Sequence, residues 1–87
     1  MKKIWKFPLH IIKGKQTISA PSDFIVTHVD MQGPQLFIWA LVDPDSITTK
    51  HSFEVYGTGH EINRGQKLLA TVMDPPNYVW HVFEVLE

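Results

Sequence analysis

Apolar and polar residues alternate with a period of two along almost the whole chain, the spacing of strands that bury one face. Trp5, Phe7 and Leu9 alternate with Lys6, Pro8 and His10 and predict an opening strand. Pro8 has no N–H to give to a ladder, so this strand is expected at a sheet edge or broken there. Gly14 marks a turn before a short strand from Gln16 to Ser19, and Ala20-Pro21-Ser22-Asp23 has the composition of a loop. From Phe24 to Met31 the alternation resumes, with Phe24, Val26 and His28 on one face and Ile25, Thr27 and Val29 on the other.

Gln32-Gly33-Pro34-Gln35 reads as a turn into Leu36–Val42, which is apolar at every position. Such a run fits a central strand covered on both faces or a short buried helix, and its aromatic and β-branched content favours the strand. Trp39, inside it, is expected in the core. Asp43-Pro44-Asp45-Ser46 punctuates next, followed by strands at His51–Tyr56, Leu68–Met73 and Tyr78–Leu86. Asp74-Pro75-Pro76-Asn77 separates the last two. Nothing in the chain reads as an amphipathic helix of ten residues or more. About seven short strands with regular turns predict an all-β fold, a compact antiparallel sandwich or small barrel with little or no helix.

The chain has 87 residues, expected as one small β domain spanning 1–87. Its 44% hydrophobic content, with three Trp and five Phe, suffices for a single core, although so small a core leaves a thin stability margin. A formal net charge of −1 leaves no electrostatic footprint for a phosphate backbone, so nucleic-acid binding is not expected. The basic cluster at Lys2, Lys3, Lys6, Lys13 and Lys15 reads as a solvated strand edge. With no Cys, disulfides, thiol catalysis and Cys-based zinc sites are excluded. The basic N-terminus is not followed by the apolar run of a signal peptide, and no stretch approaches the ~20 apolar residues of a membrane span. A cytoplasmic protein without a membrane partner is the expectation.

The richest local chemistry lies where a strand runs into Tyr56-Gly57-Thr58-Gly59-His60. Two glycines one residue apart permit positive φ or close approach, as a turn or bulge would need. Backbone N–H groups and the Thr hydroxyl would equally serve a ligand or partner. No helix follows, which excludes a P-loop or dinucleotide fingerprint. His10, His28, His51, His60 and His81 lack metal-ligand spacing, so no metal is expected. The acids Asp23, Asp30, Asp43, Asp45, Glu54, Glu61, Asp74, Glu84 and Glu87 are scattered, and the serines lack a nucleophile-elbow setting. His60 with Glu61, and His81 with Glu84, would face opposite ways on a strand. No enzyme and no cofactor are expected. Most of Trp5, Trp39, Trp80, Tyr56 and Tyr78 alternate with apolar neighbours as core residues do. The last strand is apolar on both faces, and must be either central in its sheet or covered by a second subunit. The second case predicts a homo-oligomer, a dimer or higher.

Four segments in this order, Ile4-Trp5-Lys6-Phe7, Trp39-Ala40-Leu41-Val42-Asp43-Pro44, Tyr56-Gly57-Thr58-Gly59-His60 and His81-Val82-Phe83-Glu84, carry a resemblance. Over nearly its whole length the chain resembles a family of small, uncharacterised phage and prophage proteins with no assigned activity. The resemblance implies a small protein made in the bacterial cytoplasm during infection. It departs from the family pattern at Glu61, where a Pro often follows the motif His, and at Asp74–Asn77, which replaces a Gly-rich tract. The function expected from these readings is a non-catalytic binding protein, acting by stoichiometric contact with a host component and antagonising host defence. Its contact residues would be Tyr56, Gly57, Thr58, Gly59 and His60, with His51 or Trp80 nearby. One alternative is an oligomeric sponge for a small signalling nucleotide, with the Gly-loop amides and His60 on the phosphates. A minor virion or assembly protein is another.

Overall fold

The computed structural model describes residues 1–86, which leaves Glu87 of the scattered acids outside the described residues. All seven expected strands form: β1 (Lys3–Leu9), β2 (Gln16–Pro21), β3 (Phe24–Gln32), β4 (Gln35–Val42), β5 (Thr48–Gly57), β6 (Gln66–Asp74) and β7 (Tyr78–Val85). They make two antiparallel sheets, one ordered β1-β4-β3 and the other β2-β5-β7-β6, and no helix occurs among the described residues. The fold is a small β sandwich. Pro8 lies on β1, an edge strand, where its missing N–H costs no ladder bond.

Period two places the core. Leu9, Leu36, Ile38 and Val29 from the first sheet meet Phe53, Val55, Val72 and Val82 from the second. β3 and β4 join through Gly33 and Pro34, and Gly33 has a φ of 58°, the positive value that the first position of a type II′ hairpin requires. Gln16 ties the β1–β2 corner by bonding the backbone of His10 in both directions, at 2.8 and 2.7 Å.

Two expectations need correction. The simple alternation of β3 breaks at a bulge between Val26 and His28. Phe24 and Val26 face the core, and beyond the bulge Val29 and Met31 take over that face while His28 turns outward. The unpaired Thr27 gives its hydroxyl proton to the Trp39 carbonyl oxygen at 3.2 Å. β4 is central as expected, but only one of its faces is covered by the second sheet. Leu36, Ile38, Ala40 and Val42 are buried, whereas Phe37, Trp39 and Leu41 point outward and are half-buried. Trp39 is therefore not a core residue. His28 lies against its ring at 5.6 Å, and Lys6 caps Phe37 at 4.4 Å.

β7 lies between β5 and β6, and that central position accounts for apolar residues on both of its faces without a second subunit. β5 and β6 both run antiparallel to β7 and so run parallel to each other. They cannot be joined by a hairpin. Residues 58–65 instead return across the outer face of the sheet, which buries part of β5 on both sides: Phe53, Glu54, Val55 and Tyr56 are consecutively buried.

Truncating the fully buried Ile38 to Ala should cost about 2–5 kcal/mol in denaturant unfolding. Ile25→Ala on the open outer face should stay within about 0.5 kcal/mol of the native protein.

Candidate functional site

β2 pairs only with the first part of β5, Thr48 to Phe53, because the chain before Gln16 turns away at Gly14 toward β1. Glu54 to Gly57 pair with β7 on one side and leave the other edge of β5 unpaired. Around this free edge lies a cleft of about 670 Å³. Its walls are the β1–β2 connection, with Ile11, Ile12 and Lys13, and the β5–β6 crossover, with His60, Glu61 and Asn63. Glu54, Val55, Tyr56 and Trp80 complete it.

Gly57 to His60 form a four-residue turn closed by the His60 N–H on the Gly57 carbonyl oxygen at 3.3 Å. Gly59 holds a φ of 90° at the third position, as a type II turn demands. The Gly57 N–H donates to His60 Nδ1 at 3.2 Å, and a Cβ on Gly57 would stand 3.1 Å from the His60 ring. One glycine supplies the left-handed backbone and the other lets the imidazole approach.

Glu54 is the one buried charged residue among the described residues, with 9% of its surface exposed. Its Oε2 accepts the Tyr56 phenolic proton at 2.6 Å and an Asn63 side-chain N–H at 3.3 Å. The first is a short, charge-assisted bond. Gln66 also reaches the phenol oxygen at 3.0 Å, and the backbone N–H of Asn63 at 3.4 Å. Since the phenol has a single proton and Glu54 takes it, the Gln66 amide suits this contact with its NH₂ turned toward Tyr56. The Phe83 ring meets Tyr56 edge-on at 5.4 Å. Burial, and then the bond to Glu54, push the Tyr56 phenol above its usual pKa.

The structure divides the residues that the sequence grouped. Tyr56, Gly57, His60 and Trp80 line the cleft together. Thr58 turns to the outer face, where its hydroxyl lies 2.9 Å from His81 Nε2, while Thr71 lies 3.0 Å from Nδ1 of the same ring. Gly59 serves the turn. His51 is remote from this cleft: it stacks on Phe24 at 4.3 Å, and its Nε2 lies 3.0 Å from the Pro21 carbonyl oxygen. It borders a second, more open depression of about 530 Å³ with Lys50, Ser52 and Glu84. His60 and Glu61 were expected to face apart on a strand, yet they occupy the crossover, outside any strand, and both line the cleft.

Sequence reasoning missed Glu54, Asn63 and the Ile11–Ile12 wall. The available clue for Glu54 was an acid set between Phe53 and Val55, with Tyr56 two residues on and hence on the same face. Among the described residues no three His, Asp or Glu converge as a metal would require.

A family model described as a domain of unknown function, DUF7352, matches residues 1–87, and the chain belongs to that family. No curated protein and no solved structure matches it.

Tyr56→Phe should cost about 1–3 kcal/mol, because Glu54 keeps its burial and loses its shortest donor. The native protein should also destabilise in base. A phenol pKa raised on folding contributes stability that is complete below the unfolded value of about 10 and lost as pH rises through the folded value. Denaturant unfolding between pH 8 and 12 should show this loss in the native protein and not in Tyr56→Phe.

Proposed function

We propose that this DUF7352 protein is a non-catalytic binding protein that acts by stoichiometric contact, with the β5 cleft as its recognition site. The observation that carries this reading is the pairing, in one cleft, of a free strand edge with a nearly buried carboxylate. Recognition sites combine apolar walls with a few fixed polar groups, and here Ile11, Ile12 and Trp80 supply the walls while Glu54, Tyr56 and His60 supply the polar groups. Tyr56 is held by Glu54, and His60 by Gly57, so both are preorganised. The hydroxyl that a carboxylate holds in the cleft, the Tyr56 phenol, has its pKa raised rather than lowered, so it is not activated as a nucleophile, which favours binding over catalysis.

The resemblance to phage and prophage proteins supports a bacterial host component as the partner, met in the cytoplasm, and a role against host defence. A nucleotide sponge has less support. The Gly57 amide is spent on His60, and Glu54 and Glu61 place carboxylates where phosphates would have to lie.

Untagged protein exposed to a bacterial lysate should retain one protein partner at a fixed stoichiometry, read by native mass spectrometry. The double variant His60→Ala, Glu61→Lys changes two exposed residues and should keep the fold by circular dichroism. Its capture of that partner should fall about tenfold or more, the loss of roughly 1.4 kcal/mol. Undiminished capture by the folded variant would sink the cleft as the site.

A further inference from the structure

The ladder geometry of β5 narrows what this cleft takes. In an antiparallel strand the N–H and C=O of one residue point to the same side, and residues two apart share that side. Gly57 directs both groups away from β7, its N–H to His60 Nδ1 and its carbonyl oxygen to the His60 N–H. No bulge interrupts the β5–β7 register between Phe53 and Gly57. Val55 therefore presents its N–H and C=O on the free edge as well. Phe53 points the same way and meets Gln16 of β2, but β2 begins there and Val55 has no opposite number. The vacant place is the one the residues before Gln16 would have filled had β2 begun earlier and the chain not turned at Gly14.

We infer that the cleft binds an extended peptide segment that adds to β5 opposite Val55 and carries a Lys or Arg beside Glu54. This rests on the binding reading above and specifies its ligand. One peptide residue would exchange two hydrogen bonds with Val55, the unit of strand addition. Gln16 holds the place opposite Phe53 and Lys15 precedes it in the chain, so the peptide has room from Val55 onward; its residue opposite Tyr56 would share the face of Tyr56 and Glu54, where a long basic side chain reaches the carboxylate diagonally. Glu54 is nine-tenths buried, and its two hydrogen bonds both go to Oε2. Among the described residues no hydrogen bond reaches Oε1, and since no buried side-chain polar atom there lacks a partner, this oxygen is open to solvent rather than sealed. An ammonium or guanidinium there would complete the carboxylate with a charge-assisted bond. Glu61 adds a second negative charge to the wall against the single Lys13. A peptide acid at that place would meet like charge in a partly dry site, so the arrangement selects against acids as well as for bases.

The probes are seven-residue peptides of alternating Thr and Val, blocked at both ends, with Lys, Arg or Glu at the fourth position. The Lys and Arg peptides should slow hydrogen exchange at the Val55 amide and bind about tenfold or more tighter than the Glu peptide, the size of one hydrogen bond to a charged group. Glu54→Gln keeps an acceptor for Tyr56 and should remove most of that preference while Val55 protection persists. Equal binding of Lys and Glu peptides to the native protein would overturn the charge assignment. If no peptide protects Val55 while the His60→Ala, Glu61→Lys variant still loses its lysate partner, strand addition falls and the binding reading stands. Failure of both experiments would remove both.

Discussion

β5 and β6 run parallel with β7 between them, and the chain has only residues 58–65 in which to travel from one to the other. That connection has to cross a sheet face that would otherwise be open to water. Most features of the site follow from it. A sharp reversal is needed at the end of β5, which Gly57 and Gly59 provide. Side chains beneath the crossing are buried on a face that ought to be wet, which is why Glu54 and Tyr56 share the low exposure of Phe53 and Val55. The crossing is held down by the same polar groups it covers: Asn63 bonds Glu54 and Tyr56, and the Gly65 carbonyl oxygen accepts the Leu86 N–H at 2.7 Å.

A carboxylate under such a loop is costly unless its oxygens find donors. Glu54 has two, and neither belongs to a cation. Removing either leaves a buried charge short of a partner, so the network fixes the loop by the penalty of breaking it rather than by the net gain of forming it. The same reasoning explains why the Tyr56 proton is held so firmly. Losing it would set a phenolate 2.6 Å from a carboxylate in a site with little water. The cluster that holds the loop is thus also the one at which we propose recognition, where a ligand cation would add a charged partner to Glu54.

Period two made the seven strands legible, because each sheet buries one face and alternation reports that directly. Gly33-Pro34 was legible as a turn for the same kind of local reason. What the alternation could not carry was anything set by a neighbouring strand. The bulge at Thr27 reverses the phase of β3, and it is accommodated by the Trp39 carbonyl of β4, a contact invisible to either segment alone. Trp39 itself reads as core by hydrophobicity, yet a three-stranded sheet with one covered face must put half of its central strand outside. The glycine loop was found, but its residues were grouped by sequence adjacency. The turn sends Thr58 to His81 and His60 to the cleft, and only the crossover decides which goes where. Glu54 was hidden because its burial comes from a loop, and loops leave no period.

The outer face of the first sheet is the more apolar surface, yet the cleft is the site we propose for recognition. Phe37, Trp39 and Leu41 lie there with Ile4 and Ile25, but the edge strands already cover much of the central row. Lys6 holds its ammonium over the Phe37 ring at 4.4 Å and donates from it to Gln32 at 3.0 Å, and His28 leans on Trp39 while meeting Asp30 at 3.4 Å. Long polar side chains used this way shield apolar surface and keep their charged ends wet. Lys6, His28 and Asp30 are thus paired with neighbours on that face. At the β5 edge the reverse holds. The strand turns away from Val55, both hydrogen bonds to the Glu54 carboxylate go to one oxygen, and the two residues line the same cleft. Directional groups specify a ligand where apolar area alone does not, and on that ground the free edge of β5 outranks the larger apolar face.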